Sequence, residues 1–204
     1  MDKSLNPPEA RPGVPGAAGP LRVVGCGNPF ASDDAAGLEV VRRLRAAGGL
    51  EWELLELPQA GVEVMEVLEG AETVIFIDAV ASGSPPGTIH LVLLPSPAIE
   101  PRALGSISSH GWGLTETLRL RAALGRPSPR LLLVGIEIER AAPGGVLSPA
   151  VEAAIQIVVE RFSALCAMLR GEENTSRNGC WRFPPGEGSF PGGSRDVFVA
   201  AGGG

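Results

Sequence analysis

Cysteine is scarce in this chain: Cys26, Cys166 and Cys180 are the only three, none stands in a CxxC pair, and one is left over from any pairing. That excludes a disulfide-stapled scaffold and reads as reduced thiols in a cytoplasmic protein. Clustered basic charge is missing too. With a formal net charge of -6 and a pI near 5.0, no stretch concentrates Lys and Arg enough to hold a phosphate backbone, so nucleic acid is excluded as a partner. No HExxH sequence occurs, which excludes a zincin-type protease, and no internal repeat is evident. The first twenty residues are rich in Pro, Gly and Ala but lack a basic segment followed by an apolar one. They read as neither a signal peptide nor a membrane helix, and no membrane partner is expected.

What is present suits one domain with a sizeable core, since 204 residues are 44% apolar. Residues 1–20 read as a Pro/Gly-rich tail, 21–170 as the domain, and 171–204 as a second Gly/Pro-rich tail expected to be disordered, although Trp181, Phe183, Phe190 and Phe198 stand in it. Within the domain, strand-like and helix-like segments alternate. The patterns predict strands at Leu21–Val24, Trp52–Leu57, Thr73–Val80, Thr88–Leu94 and Arg130–Ile138. Helices are predicted at about Asp33–Ala47, Val62–Leu68, Leu114–Leu124 and, as one long run, Ser148–Leu169. Val74-Ile75-Phe76-Ile77 and Leu131-Leu132-Leu133-Val134 are continuously apolar, as expected of strands covered by helices on both faces. The class is α/β, a three-layer α/β/α sandwich around a mostly parallel, mixed five-stranded twisted sheet. The Ser-Gly-Ser-Pro-Pro-Gly turn after Val80 is too short for a crossover helix, so the strands flanking it are expected to pair antiparallel.

Chemistry concentrates where strands end, the usual place for ligands in open α/β sheets. After the first strand, Gly25-Cys26-Gly27 turns the chain and delivers Asp33-Asp34 at the start of a helix. Asp78 ends an apolar strand, and His110 lies in a Ser108-Ser109-His110-Gly111 loop before another helix. Two carboxylates and a neutral imidazole make a mixed O/N donor set suited to a first-row divalent metal, nickel or zinc before magnesium. Taken singly, Asp33 or Asp34 serves equally as a helix cap, and Asp78 as an acceptor of turn amides; the polar, glycine-lined setting of His110 favours function. His90, alternating along a strand, reads as a solvated histidine. A serine triad at Ser108 or Ser109 is disfavoured because no glycine elbow surrounds either residue. A dinucleotide loop is disfavoured because Phe30 stands where the third glycine belongs, so no nucleotide cofactor is expected. Cys26 reads as a small apolar filler.

Three separated blocks resemble the nickel-iron hydrogenase maturation proteases: Gly25-Cys26-Gly27-Asn28-Pro29 through Asp33-Asp34-Ala35-Ala36-Gly37, then Ile77-Asp78-Ala79-Val80, then Ser108-Ser109-His110-Gly111. Val134-Gly135-Ile136-Glu137 resembles a weaker fourth, and the likeness covers about residues 21–170. The resemblance implies an aspartic-type endopeptidase that removes a C-terminal extension from a hydrogenase large-subunit precursor after nickel insertion. It implies Asp34, Asp78 and His110 as metal-contacting residues, with Asp34 and Asp78 catalytic and the nickel supplied by the substrate protein, and it leaves Asp33 as a helix cap. Asn28 and the glycine-turn amides become candidates for polarising a carbonyl. The expected assembly is a monomer acting on the precursor; the alternative is a non-catalytic nickel-binding checkpoint module that docks on it.

Overall fold

The computed structural model describes residues 21–48, 52–58, 63–94, 111–170 and 180–183. Its elements in chain order are β1 (Leu21–Cys26), a 3-10 turn (Ser32–Ala35), α1 (Ala36–Ala47), β2 (Glu53–Leu57), α2 (Glu63–Leu68), β3 (Thr73–Val80), β4 (Ile89–Leu94), α3 (Gly111–Ala123), β5 (Arg130–Glu137), α4 (Pro149–Glu160), α5 (Phe162–Arg170) and β6 (Cys180–Phe183). They form one sheet in the order β2-β1-β3-β5-β4-β6, with β1, β2, β3 and β5 parallel and β4 antiparallel to β5. Helices cover both faces, which makes the expected three-layer sandwich.

The layers follow from which residues alternate along the strands. Val23, Ile75, Ile77, Leu132, Val134 and Ile136 turn to one face and pack with α1, α4 and α5. Val24, Cys26, Val74, Phe76, Leu131 and Leu133 turn to the other and pack with Val64, Val67 and Leu68 of α2 and Leu114 of α3. β3 and β5 are apolar on both faces because each face has a helix layer to bury against. In α1, Leu38, Val40, Val41 and Leu44 are buried, each stabilising the fold by about 1.5–3 kcal/mol, and the helix stops at Gly48, whose φ of 68° suits glycine.

Three features depart from expectation. β4 does run opposite to β3, but the two do not pair: β5 inserts between them, with Gly135 opposite Asp78 on one side and opposite His90 on the other. The turn after β3 therefore spans the end of β5, two strand spacings or roughly 10 Å. β5 itself holds that turn, since the Glu137 carboxylate accepts the Ser82 and Gly83 N–H groups at 2.7 and 2.8 Å, and its carbonyl accepts Gly87 N–H at 2.8 Å. The long helical run is two helices. Arg161 (φ -96°, ψ 4°) breaks it, and α5 restarts with Phe162 seated edge-on to Trp52, ring centroids 5.1 Å apart. Finally, Cys180–Phe183, within the segment expected to be a disordered tail, adds a sixth strand antiparallel to β4.

Candidate active site at the carboxyl edge of the sheet

Close backbone packing sets the site. A Cβ on Gly25 would collide with the carbonyl oxygen of Gly37, and a Cβ on Gly37 would collide with the carbonyl oxygens of Ile77 and Cys26. The first turn of α1 thus lies directly on the carboxyl ends of β1 and β3, and the preceding 3-10 turn packs against β3. Gly25 serves this approach and not the turn; the turn itself falls to Gly27, at φ +143°, where a Cβ would strike the Asp34 carbonyl.

Asp34 is half-buried on that turn, and its Oδ2 accepts the Asn28 backbone N–H at 3.1 Å. Asn28 is occupied with local order: its Oδ1 accepts Phe30 N–H at 3.0 Å. Asp78 is 3% exposed, points to the α2/α3 face as Val74 and Phe76 do, and accepts Ala79 N–H on Oδ1 at 2.9 Å. Beside it on β1 is Cys26, fully buried. Burial, and then the nearby charge of Asp78, pushes the Cys26 thiol well up, so it stays neutral. The filler role expected of this cysteine matches its setting.

α3 begins on the same edge. Its last turn is tied to the opposite edge, where Arg121 bonds Glu69 and the carbonyl of Pro127, and thirteen residues at about 1.5 Å each carry its start at Gly111 back across the sheet. His110, the third expected metal contact, lies outside the described residues. Among the described residues no three His, Cys, Asp or Glu side chains gather as a metal site.

Asp33 does not cap the helix. It is fully buried, and its carboxylate accepts three backbone N–H groups from the loop after β5: Glu139 at 3.1 Å, Arg140 at 3.2 Å and Ser148 at 2.6 Å. Ser32 adds two bonds to the same loop, from Ala142 N–H and to the Arg140 carbonyl. The paired carboxylates have opposite assignments: Asp33 fastens two loops together and Asp34 is left toward the edge.

His90 is not solvated either. It is buried, with Nε2 3.0 Å from Glu137 Oε2, and Ser82 Oγ donates to the same carboxylate oxygen at 2.7 Å. Both Ser82 and Glu137 approach the same ring nitrogen, which is not the arrangement of a serine triad. The signal for Glu137 was in the chain: it ends a buried apolar strand with a carboxylate, as Asp78 does.

A family model described as hydrogenase maturation protease matches residues 38–164. The hydrogenase 2 maturation protease of Escherichia coli K12 is 30% identical over 147 residues, 71% of this chain and 88% of that protein. The hydrogenase expression/formation protein HupD of Thiocapsa roseopersicina is 29% identical over 165 residues, 76% of this chain and 73% of its own. Among solved structures, the hydrogenase maturating endopeptidase HybD of E. coli superposes with a TM-score of 0.62 at 27% identity, over 81% of this chain and 97% of that one. The [NiFe] hydrogenase maturation protease HybD of Thermococcus kodakarensis gives 0.57 at 27% identity, over 72% and 98%.

Proposed function

We propose, since the chain belongs to the hydrogenase maturation protease family and is a peptidase, that it removes a C-terminal extension from a nickel-iron hydrogenase large-subunit precursor once nickel has been inserted. The observation that supports this reading is the backbone contact at Gly25 and Gly37, which lays the helix start behind the Asp34 turn on the ends of β1 and β3, the same edge at which β3 carries Asp78. In the proposed reaction these two carboxylates, with the His110 imidazole, contact nickel that arrives bound to the precursor. Oxygen and imidazole nitrogen donors suit that ion. Their contact fixes the nearby peptide bond against the site, where water adds to the carbonyl, the C–N bond breaks and the leaving amine takes up a proton. The buried, neutral thiol of Cys26 suits a reducing, cytoplasmic setting, and we take the working form to be a monomer.

Mass spectrometry of the precursor before and after incubation tests this. Nickel-loaded precursor is expected to lose its C-terminal segment and nickel-free precursor to stay intact; equal cleavage of both would remove nickel sensing from the reading. Asp34→Asn, Asp78→Asn and His110→Ala are each expected to slow cleavage roughly 100-fold or more, since each removes a group acting at the reacting centre. Full activity in all three variants would reject the site.

A further inference from the structure

The clamp between the two loops carries an exposed apolar surface that the reaction above does not use. Phe30 and Val146 are both 78% exposed, the largest exposures among the described large hydrophobic residues. They stand on the two loops that Ser32 and Asp33 fasten together, and Gly144 N–H bonds the Phe30 carbonyl at 2.8 Å, so the loops meet at this point. The exposed positions around them, Pro29, Ala141 and Pro143, carry no charge, while at the base of the second loop Arg140 and Glu139 pair at 3.6 Å. An uncharged centre with a charged margin has the composition of a protein contact surface.

The backbone beneath it is strained on purpose. Ser32 sits at φ 41°, the only non-glycine residue at positive φ among the described residues, and it is buried. Such a conformation persists only where its surroundings enforce it, as the Ser32 and Asp33 bonds to residues 139–148 do. Without a partner, holding a phenylalanine out in water on a braced turn has no stabilising return.

We propose that Phe30 and Val146 form a preorganised anchor for the polypeptide of the precursor, the protein whose peptide bond is brought to Asp34. This rests on the function proposed above and adds its docking surface. Continuity selects the occupant: Phe30 and Asp34 belong to one hydrogen-bonded turn, with Ala31 N–H on the Asn28 carbonyl and Asp34 N–H on the Ala31 carbonyl. A protein chain bound at Asp34 therefore lies beside the turn that carries Phe30.

The experiment measures binding apart from cutting. Intact nickel-loaded precursor is titrated against the full chain, unsubstituted and as the Phe30→Ser/Val146→Ser double variant, by calorimetry, with cleavage followed in parallel by mass spectrometry. The double variant is expected to bind roughly tenfold more weakly or worse, as loss of aromatic and aliphatic anchors does, with an unchanged melting temperature because both residues are exposed. Phe30→Leu, which keeps the apolar surface, is expected to retain most of the affinity. Equal affinity of the double variant and the unsubstituted chain would overturn the anchor while leaving the protease reading intact. Self-association lost in the double variant by sedimentation, with precursor affinity unchanged, would assign the surface to a second copy and overturn it too. An unsubstituted chain that neither binds nor cuts the precursor would overturn both.

Discussion

The two edges of the sheet handle charge in opposite ways. At the amino edge, cations meet anions: Arg22 pairs with Glu53 at 2.7 Å and also bonds the carbonyls of Val67 and Glu69 at the end of α2, while Arg121 and Arg126 share the Glu69 carboxylate at 2.9 and 3.0 Å. At the carboxyl edge, Asp33 is held by three backbone amides, and Glu137 by two amides, a hydroxyl and an imidazole. Arginine cancels a carboxylate's charge, whereas a neutral amide dipole stabilises that charge without cancelling it. The amino edge neutralises its carboxylates with arginine, and the carboxyl edge holds its own with amide, hydroxyl and imidazole groups.

The sharpest way to break this contrast is Asp33→Ala. The buried Ser148 N–H and the partly buried Glu139 and Arg140 N–H groups would lose their acceptor, and the loop after β5 would lose its fastening. The expected loss is about 3 kcal/mol or more, read from the midpoint of urea unfolding. A shift within error would mean that the two loops are held by something else. Next in size is Glu137→Gln, which keeps the shape but removes the charge shared by Ser82, Gly83 and His90; it is expected to cost about 1–3 kcal/mol.

The smallest effects belong to the amino edge and the exposed helix surfaces. Arg126→Ala should leave the urea midpoint within error of the unsubstituted chain, because Glu69 is largely exposed and solvent screens the pair. The same expectation has a pH form. Hydrogen bonds to Arg45 hold Glu56 below its usual range, Arg43 does so for Glu152, and Arg121 for Glu69. A carboxylate lowered on folding contributes stability that is present above the unfolded value, near 4.3 for glutamate, and is lost as pH falls through the folded value. Urea midpoints should therefore be flat from pH 7 to 5 and decline modestly below about pH 4. A fall already evident at pH 6 would point to a group other than these three.

Much of the fold was legible because it depends on short-range pattern. Thr73–Val80 appears at its expected bounds, since an unbroken apolar run between polar ends leaves little choice of register. The insertion of β5 between β3 and β4 was not legible: turn length constrains direction, but neighbour order depends on Glu137 reaching a turn more than fifty residues earlier in the chain. The break at Arg161 was hidden because α4 and α5 bury apolar residues on one continuing face, here Val158, Phe162, Leu165 and Leu169. Among the acidic residues, Asp78 was readable as a carboxylate near the end of a buried strand. The fastening role of Asp33, expected to be a helix cap, was not, because its three amide partners lie more than a hundred residues later in the chain. His90 was misread for a related reason, since alternation along β4 specifies a face but not what covers it.

The contact between Gly25 and Gly37 works as a gauge. Side-chain packing can shift by parts of an ångström when one residue is exchanged, but two backbones already touching have no slack to yield. The spacing between the ends of β1 and β3 and the turn bearing Asp34 is therefore set by main-chain atoms common to every residue type. The helix layer can change its side chains freely over evolutionary time without recalibrating the distance between the sheet's edge and the turn that precedes the helix.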